Sequence, residues 1–200
     1  MTDNRSVAGV VLAAGLSNRF GDEDKLLATL DDDPLVVHAV RTLVRADVDA
    51  VAAVVAPESD VATALESAFP DVELVENPDA AAGQATSVHR AVAWARGTHD
   101  AVVFALGDMP RVRPETVDAL VAAWRAGERS ALAPRYDGQR GNPVLFDREH
   151  FDALATVSGD TGGRSVFRNA PNSGFVDVDD PGVRVDVDTR ADLDALRGEQ

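Results

Sequence analysis

Short apolar segments alternate with amphipathic ones along most of the chain, and this alternation constrains the fold more than any other feature. β-Branched runs at 48–56 and 100–106 predict strands, while the spacing of apolar residues at 84–95 and 114–126 predicts helices. A β-α-β-α order of this kind predicts an α/β fold, with a three-layer, Rossmann-like, mostly parallel sheet and helices on both faces. Two later strands, 130–134 and 142–146, flank a turn at 137–141, so we expect a mixed sheet.

The remaining elements fit the same plan. The pattern predicts helices at 34–46, with Asp33 as the N-cap, at 58–69, and at the carboxyl end from Arg190. It predicts further strands at 72–75, 174–178 and 183–187. At 200 residues, with neither repeats nor a low-complexity linker, we expect one domain spanning 1–200.

Composition excludes several classes of protein. The net charge of −15 comes from acidic residues spread along the chain, which makes nucleic acid an improbable partner and is typical of proteins from salt-loving organisms. No apolar run approaches the roughly 18–20 residues that span a bilayer, and the first six residues lack an apolar targeting segment. We therefore expect a cytoplasmic protein that does not bind membranes. Without cysteine, carboxylates are the natural metal ligands, which favours hard ions such as Mg²⁺.

A loop rich in small residues follows the first predicted strand, and it is expected to bind phosphate. The strand ends at Leu12, and residues 13–21 then let the backbone turn with its N–H groups free. Arg19 and Lys25 add positive charge beside these amides. Lys25 is the sole lysine among 19 lysine and arginine residues, which indicates a specific need for an ammonium group.

Two aspartates are candidate metal ligands. Asp108 follows the buried strand 100–106 and Gly107, where an unpaired charge is costly unless it faces a cleft or a cation. Asp188 is expected at the end of strand 183–187. Either aspartate alone could be a helix cap, but two of them in a protein with a phosphate-type loop predict Mg²⁺ that bridges protein and phosphate oxygens.

Other sites receive no support from the sequence. The first loop matches neither the P-loop nor the Gly-x-Gly-x-x-Gly dinucleotide template. None of the four histidines forms a pair with the spacing of a zinc site. The serines lack the Gly-x-Ser-x-Gly setting of a serine hydrolase.

Taken together, these motifs resemble the signature of the MobA-like nucleotidyltransferases, particularly the molybdenum cofactor cytidylyltransferase branch. The resemblance extends over nearly the whole chain. Its motifs, in chain order, are Leu12-Ala13-Ala14-Gly15, Ser17, Arg19-Phe20-Gly21, Lys25-Leu26-Leu27, Asn77-Pro78, Gly83, Ser87, Gly107-Asp108-Met109-Pro110, Gly141-Asn142-Pro143, the stretch 158–164 and Asp186-Val187-Asp188-Thr189.

The resemblance implies a role for each matching residue, within a fold like that of the nucleotide-diphospho-sugar transferases. It implies that the nucleotide contacts Leu12, Ala13, Ala14 and Gly15, with its phosphates on Arg19 and Lys25 and its base and ribose near Gly83 and Ser87. Asp108 and Asp188 would hold Mg²⁺, and Asn142, Asp160 and Arg164 would face a pterin substrate. Catalysis would rest on Lys25, Arg19 and Asp108.

The implied reaction is transfer of CMP from CTP to the terminal phosphate of molybdopterin, with possible delivery of the product to a molybdoenzyme. Gly141-Asn142-Pro143 replaces the Gly-His-Pro usual in the cytidylyltransferases, and the Gly21–Lys25 spacing is one residue longer than their common form. Transfer from GTP and transfer to a sugar phosphate or other small phosphate are therefore alternatives. A nucleotide-binding module that regulates or delivers cofactor is a further alternative outside the enzymes.

Overall fold

The structure, a computed structural model, describes residues 5–15, 20 and 24–198. Its strands are β1 (Val7–Leu12), β2 (Thr29–Leu30), β3 (Asp33–Pro34), β4 (Ala50–Val55), β5 (Glu73–Glu76), β6 (Ala101–Leu106), β7 (Ala131–Tyr136), β8 (Gln139–Arg140), β9 (Val144–Asp147) and β10 (Ser173–Asp177). Its α-helices are α1 (Leu35–Arg45), α2 (Asp60–Ala68), α3 (Gln84–Ala95), α4 (Pro114–Arg125), α5 (Phe151–Leu154), α6 (Arg164–Asn169) and α7 (Arg190–Gly198). Most of the predicted elements are present, with boundaries shifted by one or two residues.

The central sheet has eight strands in the order β10-β7-β9-β6-β1-β4-β5, with β8 paired to β7. β1 is parallel to both β4 and β6, and β4 is parallel to β5. β9 is antiparallel to both β6 and β7. The predicted mixed, mostly parallel sheet is thus confirmed, with β9 and the short β8 as its antiparallel strands.

Both faces of the sheet are buried under helices. In β1, Val7 and Val11 pack with α1, α2 and α4 on one face, whereas Ala8 and Val10 pack with α3, α5 and α6 on the other. Alternation of side chains along a strand explains how one apolar run serves two cores. The predicted three-layer arrangement is confirmed. Among the described residues, no helix is long and apolar enough to cross a bilayer.

The predicted turn between the late strands is a two-residue hairpin turn. Asp137 and Gly138 have φ angles of 47° and 71°, as in the turns that match the twist of antiparallel strands. This turn joins β7 to β8 and brings Arg140 back alongside Arg135.

The predicted cap of the first long helix is wrong. Pro34, not Asp33, precedes α1, and it makes no side-chain cap hydrogen bond. Asp33 belongs to the small β2–β3 hairpin, and its carboxylate pairs with Arg41 at 2.7 Å. Because the Asp33 carboxylate pairs with Arg41, which lies within α1, it does not cap the N-terminus of that helix.

The predicted strand at 183–187 is also wrong. Pro181–Arg184 forms a short 3₁₀ helix, in which Asp180 accepts a hydrogen bond from the Gly182 N–H at 2.9 Å. Val183 and Val187 are both fully buried, which explains why the segment looked like a strand. Asp188 consequently follows an irregular segment and precedes α7, instead of ending a strand.

Candidate active site

The site lies where β1 and β6 end side by side. Leu12 and Leu106 are register partners in the parallel pair, so both chains leave the sheet at the same edge. Gly107 donates its N–H to the Leu12 carbonyl at 3.2 Å, and a Cβ on it would lie 3.3 Å from Leu26 Cδ2. Glycine therefore permits the close approach that sets Asp108 beside the segment that follows the first loop.

Lys25 forms an ion triad with both predicted metal ligands. Its Nζ lies 2.7 Å from Asp108 Oδ2 and 3.0 Å from Asp188 Oδ1. The lysine and Asp108 side chains are about one-fifth exposed, at 17% and 21%, whereas Asp188 is 40% exposed. Burial alone would lower the pKa of Lys25, but attraction to the two carboxylates outweighs it and raises that pKa above its ordinary value of 10.5. The ammonium is therefore held in its charged form.

Local hydrogen bonds fix the residues of this triad. Asp24 accepts a hydrogen bond from the Leu26 N–H at 3.0 Å and so caps the 3₁₀ turn Lys25–Leu27. The Val187 N–H donates to the Asp108 carbonyl at 2.9 Å, which ties the two carboxylate-bearing segments together.

The start of α7 is held by Asp192. One oxygen of its carboxylate accepts from the Asp188 N–H at 3.1 Å and from the N–H and hydroxyl of Thr189 at 2.7 and 2.8 Å. These hydrogen bonds, first those from Thr189, lower the pKa of Asp192. Asp188 is therefore held in place by two contacts, its backbone hydrogen bond to Asp192 and its side-chain ion pair with Lys25.

The donor set at the triad fits a divalent cation that also binds a phosphate. Asp108 Oδ1 is a buried oxygen without a hydrogen-bond partner, which is the kind of orphaned acceptor that a cation would satisfy. The described residues contain no cluster of three or more acidic, histidine or cysteine side chains that could hold a metal. Two carboxylates plus oxygens from a ligand are what Mg²⁺ sites at phosphates typically use.

A cavity of about 440 Å³ opens beside the triad. Its lining includes the residues predicted for the nucleotide, namely Leu12, Ala14, Gly15, Lys25, Gly83 and Ser87, together with Asp108 and Asp188. Ala13 is different, because its side chain is buried and its N–H donates to the Val54 carbonyl at 2.8 Å. That amide serves the sheet and is not available to a phosphate. Arg19 lies outside the described residues.

A second cavity of about 470 Å³ adjoins the first, and four residues, Leu12, Gln84, Leu106 and Asp160, line both. The predicted substrate residues Asn142, Asp160 and Arg164 all line the second cavity. Its other side is apolar and includes Phe104 and Phe146, whose ring centroids are 6.0 Å apart. A ligand in each cavity could therefore meet the other at their shared wall.

Gly83 shapes the boundary between the two cavities. Its φ of 109° lies in the region that favours glycine, and a Cβ there would lie 2.7 Å from Asp160 Oδ1. The glycine therefore allows the start of α3 to pack directly against the 159–161 segment. A substitution at this position would be strained and would disturb both cavities.

Sequence reasoning missed Gln84, the two phenylalanines and Arg140, which also line the cavities. Arg140 directly precedes the Gly141-Asn142-Pro143 motif, and that neighbourhood was the signal available for it. The sequence predicted Phe104 and Phe146 only as core residues, because both lie in apolar strands. Both are indeed at least 95% buried, and they also line the second cavity.

A third cavity of about 490 Å³ lies on another part of the surface, beside α5 and α6. It is lined by small polar and apolar residues, with His150 as the one titratable side chain among those lining it. A triphosphate needs compensating positive charge, so this cavity is a poor match for a nucleotide.

The chain is similar to several known proteins. The family model of the MobA-like NTP transferase domain matches residues 9–174. The chain is 32% identical over 196 residues to the nicotine blue oxidoreductase of Paenarthrobacter nicotinovorans, covering 94% of this chain and 95% of that protein. It is 26% identical over 146 residues to a protein from Pyrococcus horikoshii named probable molybdenum cofactor guanylyltransferase, covering 72% and 71% of the two chains.

Among solved structures, Rv0371c of Mycobacterium tuberculosis in complex with manganese is similar with a TM-score of 0.78. The alignment is 26% identical and covers 98% of this chain and 100% of that chain. A similar protein has thus been crystallised with a divalent metal. The match over residues 9–174 spans both cavities up to Arg164, although not Asp188. The chain belongs to the MobA-like NTP transferase family.

Proposed function

We propose that this protein is a Mg²⁺-dependent nucleotidyltransferase that transfers CMP from CTP to the terminal phosphate of molybdopterin and releases pyrophosphate. The observation that carries the proposal is the Lys25–Asp108–Asp188 triad, with its buried unpartnered Asp108 oxygen, at the edge of a nucleotide-sized cavity. The adjoining cavity gives the acceptor a place from which to approach.

In the proposed reaction, an oxygen of the acceptor phosphate attacks the α-phosphorus of CTP. A new P–O bond forms, the bond from the α-phosphorus to the bridging oxygen breaks, and its electron pair leaves with pyrophosphate. A phosphate monoester is already ionised and nucleophilic at neutral pH, so no general base is required. The chain's contribution is alignment of the two phosphates and stabilisation of charge.

Each member of the triad has a defined part in that reaction. The Lys25 ammonium would stabilise negative charge on the departing pyrophosphate. Asp108 and Asp188 would hold the Mg²⁺, which supplies Lewis-acid polarisation of the phosphate oxygens when bound. Ser87, whose hydroxyl accepts a hydrogen bond from the Asn77 amide at 3.0 Å, keeps its own proton to donate toward the base or ribose.

The choice of CTP rests on the size of the nucleotide cavity. Ala14 is one of the residues that line it, and a glycine in its place would leave more room for a purine. Since a similar protein is named a guanylyltransferase, GTP is the direct competitor. Equimolar CTP and GTP with molybdopterin should give mainly the cytosine dinucleotide, identified by mass. A mainly guanine product would show that GTP is the nucleotide substrate, and it would leave the proposed role of the triad unchanged.

The metal assignment is tested by replacing each carboxylate with its amide. Asp108→Asn and Asp188→Asn should each need much more Mg²⁺ for pyrophosphate release, assayed in molar KCl because of the acidic surface. The double variant should lose little beyond the worse single one, because both residues serve one ion. Asp152→Asn, which alters a carboxylate that is 92% exposed, is the matched control and should behave as the wild type.

A second candidate is an oxidoreductase, because the nicotine blue oxidoreductase is similar over nearly the full length of both chains. Hydride transfer has no use for a lysine clamped between two carboxylates, which favours phosphate chemistry. The two activities separate in one assay set. Oxidation of a reduced nicotinamide dinucleotide by a quinone dye, with no pyrophosphate formed from any nucleoside triphosphate, would favour the oxidoreductase and contradict the proposal.

A further inference from the structure

Three arginines, Arg140, Arg164 and Arg168, lack a carboxylate partner in a strongly acidic protein. Within the described part of the chain, the side chain of none of them makes a hydrogen bond or an ion pair. Most of the other described arginines pair with aspartates, for example Arg135 with Asp177 at 2.6 Å. Arg45, Arg129 and Arg184 have no carboxylate partner among the described residues either, but all three are exposed to solvent.

Arg164 and Arg168 are exposed and can be hydrated, whereas Arg140 is half-buried. Asp160 lines the same cavity but forms no ion pair with Arg140, so the unpaired, half-buried charge of Arg140 requires an explanation in a chain with a net charge of −15.

The three positive charges lie close enough to repel one another. Burial, followed by repulsion from Arg164 and Arg168, lowers the pKa of Arg140. The Arg140 guanidinium lies 4.6 Å from the centre of the Phe167 ring, and its Nε is buried without a hydrogen-bond partner. Stacking on one ring compensates only part of what a guanidinium loses on leaving water. An anion from outside the chain would satisfy the rest.

The arginines are placed on the acceptor side of the site. Arg140 and Arg164 line the second cavity, while Lys25 and both metal-ligand candidates line the first. An anion held by these arginines would therefore lie beside the apolar wall of the second cavity. Because four residues line both cavities, an acceptor phosphate held there would face the α-phosphate of the nucleotide at the boundary of the two cavities.

We propose that Arg140, assisted by Arg164 and Arg168, binds a phosphate-type oxyanion of the acceptor. This inference rests on the proposed function for the identity of the second substrate, and it names that substrate's chemical class as an anion with an apolar or aromatic body. The planar guanidinium fork matches two phosphate oxygens at once, which an ammonium does not. Arg140→Lys should therefore rescue binding only in part.

The first test uses inorganic phosphate as the probe and requires no turnover. Thermal unfolding of the full chain is followed while phosphate replaces KCl at constant ionic strength. Phosphate should raise the midpoint of the wild type, since a ligand that binds the folded state stabilises it. In Arg140→Gln the apparent Kd for phosphate should rise about 10- to 100-fold.

Arg135→Gln is the matched control, because Arg135 is the register partner of Arg140 in the β7–β8 hairpin but is paired with Asp177. It should keep the full phosphate response. In the absence of phosphate, Arg140→Gln should unfold at the wild-type midpoint or above it, because a mutual repulsion is removed. An equal phosphate response in Arg140→Gln and the wild type would overturn the proposal.

The second test separates this inference from the proposed function. With CTP and molybdopterin, Arg140→Gln should raise KM for the acceptor about 10-fold or more and leave KM for the nucleotide unchanged. Transfer that proceeds with an unaltered acceptor KM would refute the arginine site and leave the nucleotidyltransferase proposal standing. Absence of transfer from every nucleotide, with the phosphate response still dependent on Arg140, would refute the reaction and support the anion site.

Discussion

Replacing Lys25 with methionine should have opposite effects on metal binding and on turnover. The ammonium lies 2.7 and 3.0 Å from the carboxylates of Asp108 and Asp188, where a divalent cation would be bound. Lysine and metal therefore compete for the same two carboxylates. Lys25→Met should increase the affinity of the nucleotide-free protein for Mn²⁺, even though it removes a residue needed for catalysis.

The expected gain in Mn²⁺ affinity can be estimated from Coulomb's law. In general, two unit charges about 4 Å apart interact by about 4 kcal/mol at an effective dielectric constant of about 20. Asp188 is 40% exposed, so solvent and salt reduce the effect to about 1–2 kcal/mol, or roughly 5- to 30-fold in the Kd for Mn²⁺. Turnover should fall about 100- to 1000-fold, as expected when one electrostatic contact to the transition state is removed.

The assay is a titration of nucleotide-free protein with Mn²⁺, with the free ion measured by electron paramagnetic resonance. Arg96→Met is the control, since it also removes one positive charge, from a surface pair with Asp152. It should bind Mn²⁺ within about twofold of the wild type, because exposed charges at a distance are screened. Unchanged or weaker Mn²⁺ binding by Lys25→Met would refute the idea that lysine and metal share the two carboxylates.

Three further predictions concern stability. The raised pKa of Lys25 stabilises the folded state at every pH below 10.5, so the free energy of unfolding should fall as the pH rises above that value through the folded-state pKa. Asp192 has a lowered pKa, so the destabilisation in Asp192→Asn, measured by urea unfolding against the wild type, should be present above pH 3.8 and should disappear as the pH falls below it. Gly182→Ala should reduce the free energy of unfolding by about 1–3 kcal/mol, because its Cβ would clash with the Arg111 carbonyl group, whereas Gly198→Ala, with open space around it, should change it little.

The layered sheet was predictable because its signals are local. The apolar runs of β1 and β6 carry alternating side chains into two cores, and their length and composition specify buried strands directly. The same periodicity gave the wrong prediction at 183–187. Val183 and Val187 are fully buried there, Val187 among residues that include Leu30 and Leu35, and the Val183 carbonyl accepts a hydrogen bond from the Asn142 N–H. Burial at every second or fourth residue is compatible with a strand or with an irregular segment, and tertiary contacts decide between them.

The candidate site was predictable where chemistry and position coincide. Lys25 and Asp108 stood out because one is unique in the chain and the other follows a buried strand. The cluster around Arg140 could not be predicted, because its guanidinium meets those of Arg164 and Arg168 only after the hairpin and α6 have packed. The sequence indicates Arg164 through the 158–164 motif, and Arg140 adjoins the Gly141-Asn142-Pro143 motif, but no spacing in it places these two arginines together with Arg168.

Isotope transfer from the acceptor tests the central claim most directly. Molybdopterin labelled with ¹⁸O in its terminal phosphate is incubated with protein, CTP and Mg²⁺, and both products are analysed by mass spectrometry. If the acceptor phosphate attacks the α-phosphorus, all of the label stays in the cytosine dinucleotide and the pyrophosphate is unlabelled. The dinucleotide and the pyrophosphate are then formed in equal amounts. Labelled pyrophosphate, or the absence of a dinucleotide with any nucleoside triphosphate, would contradict the account.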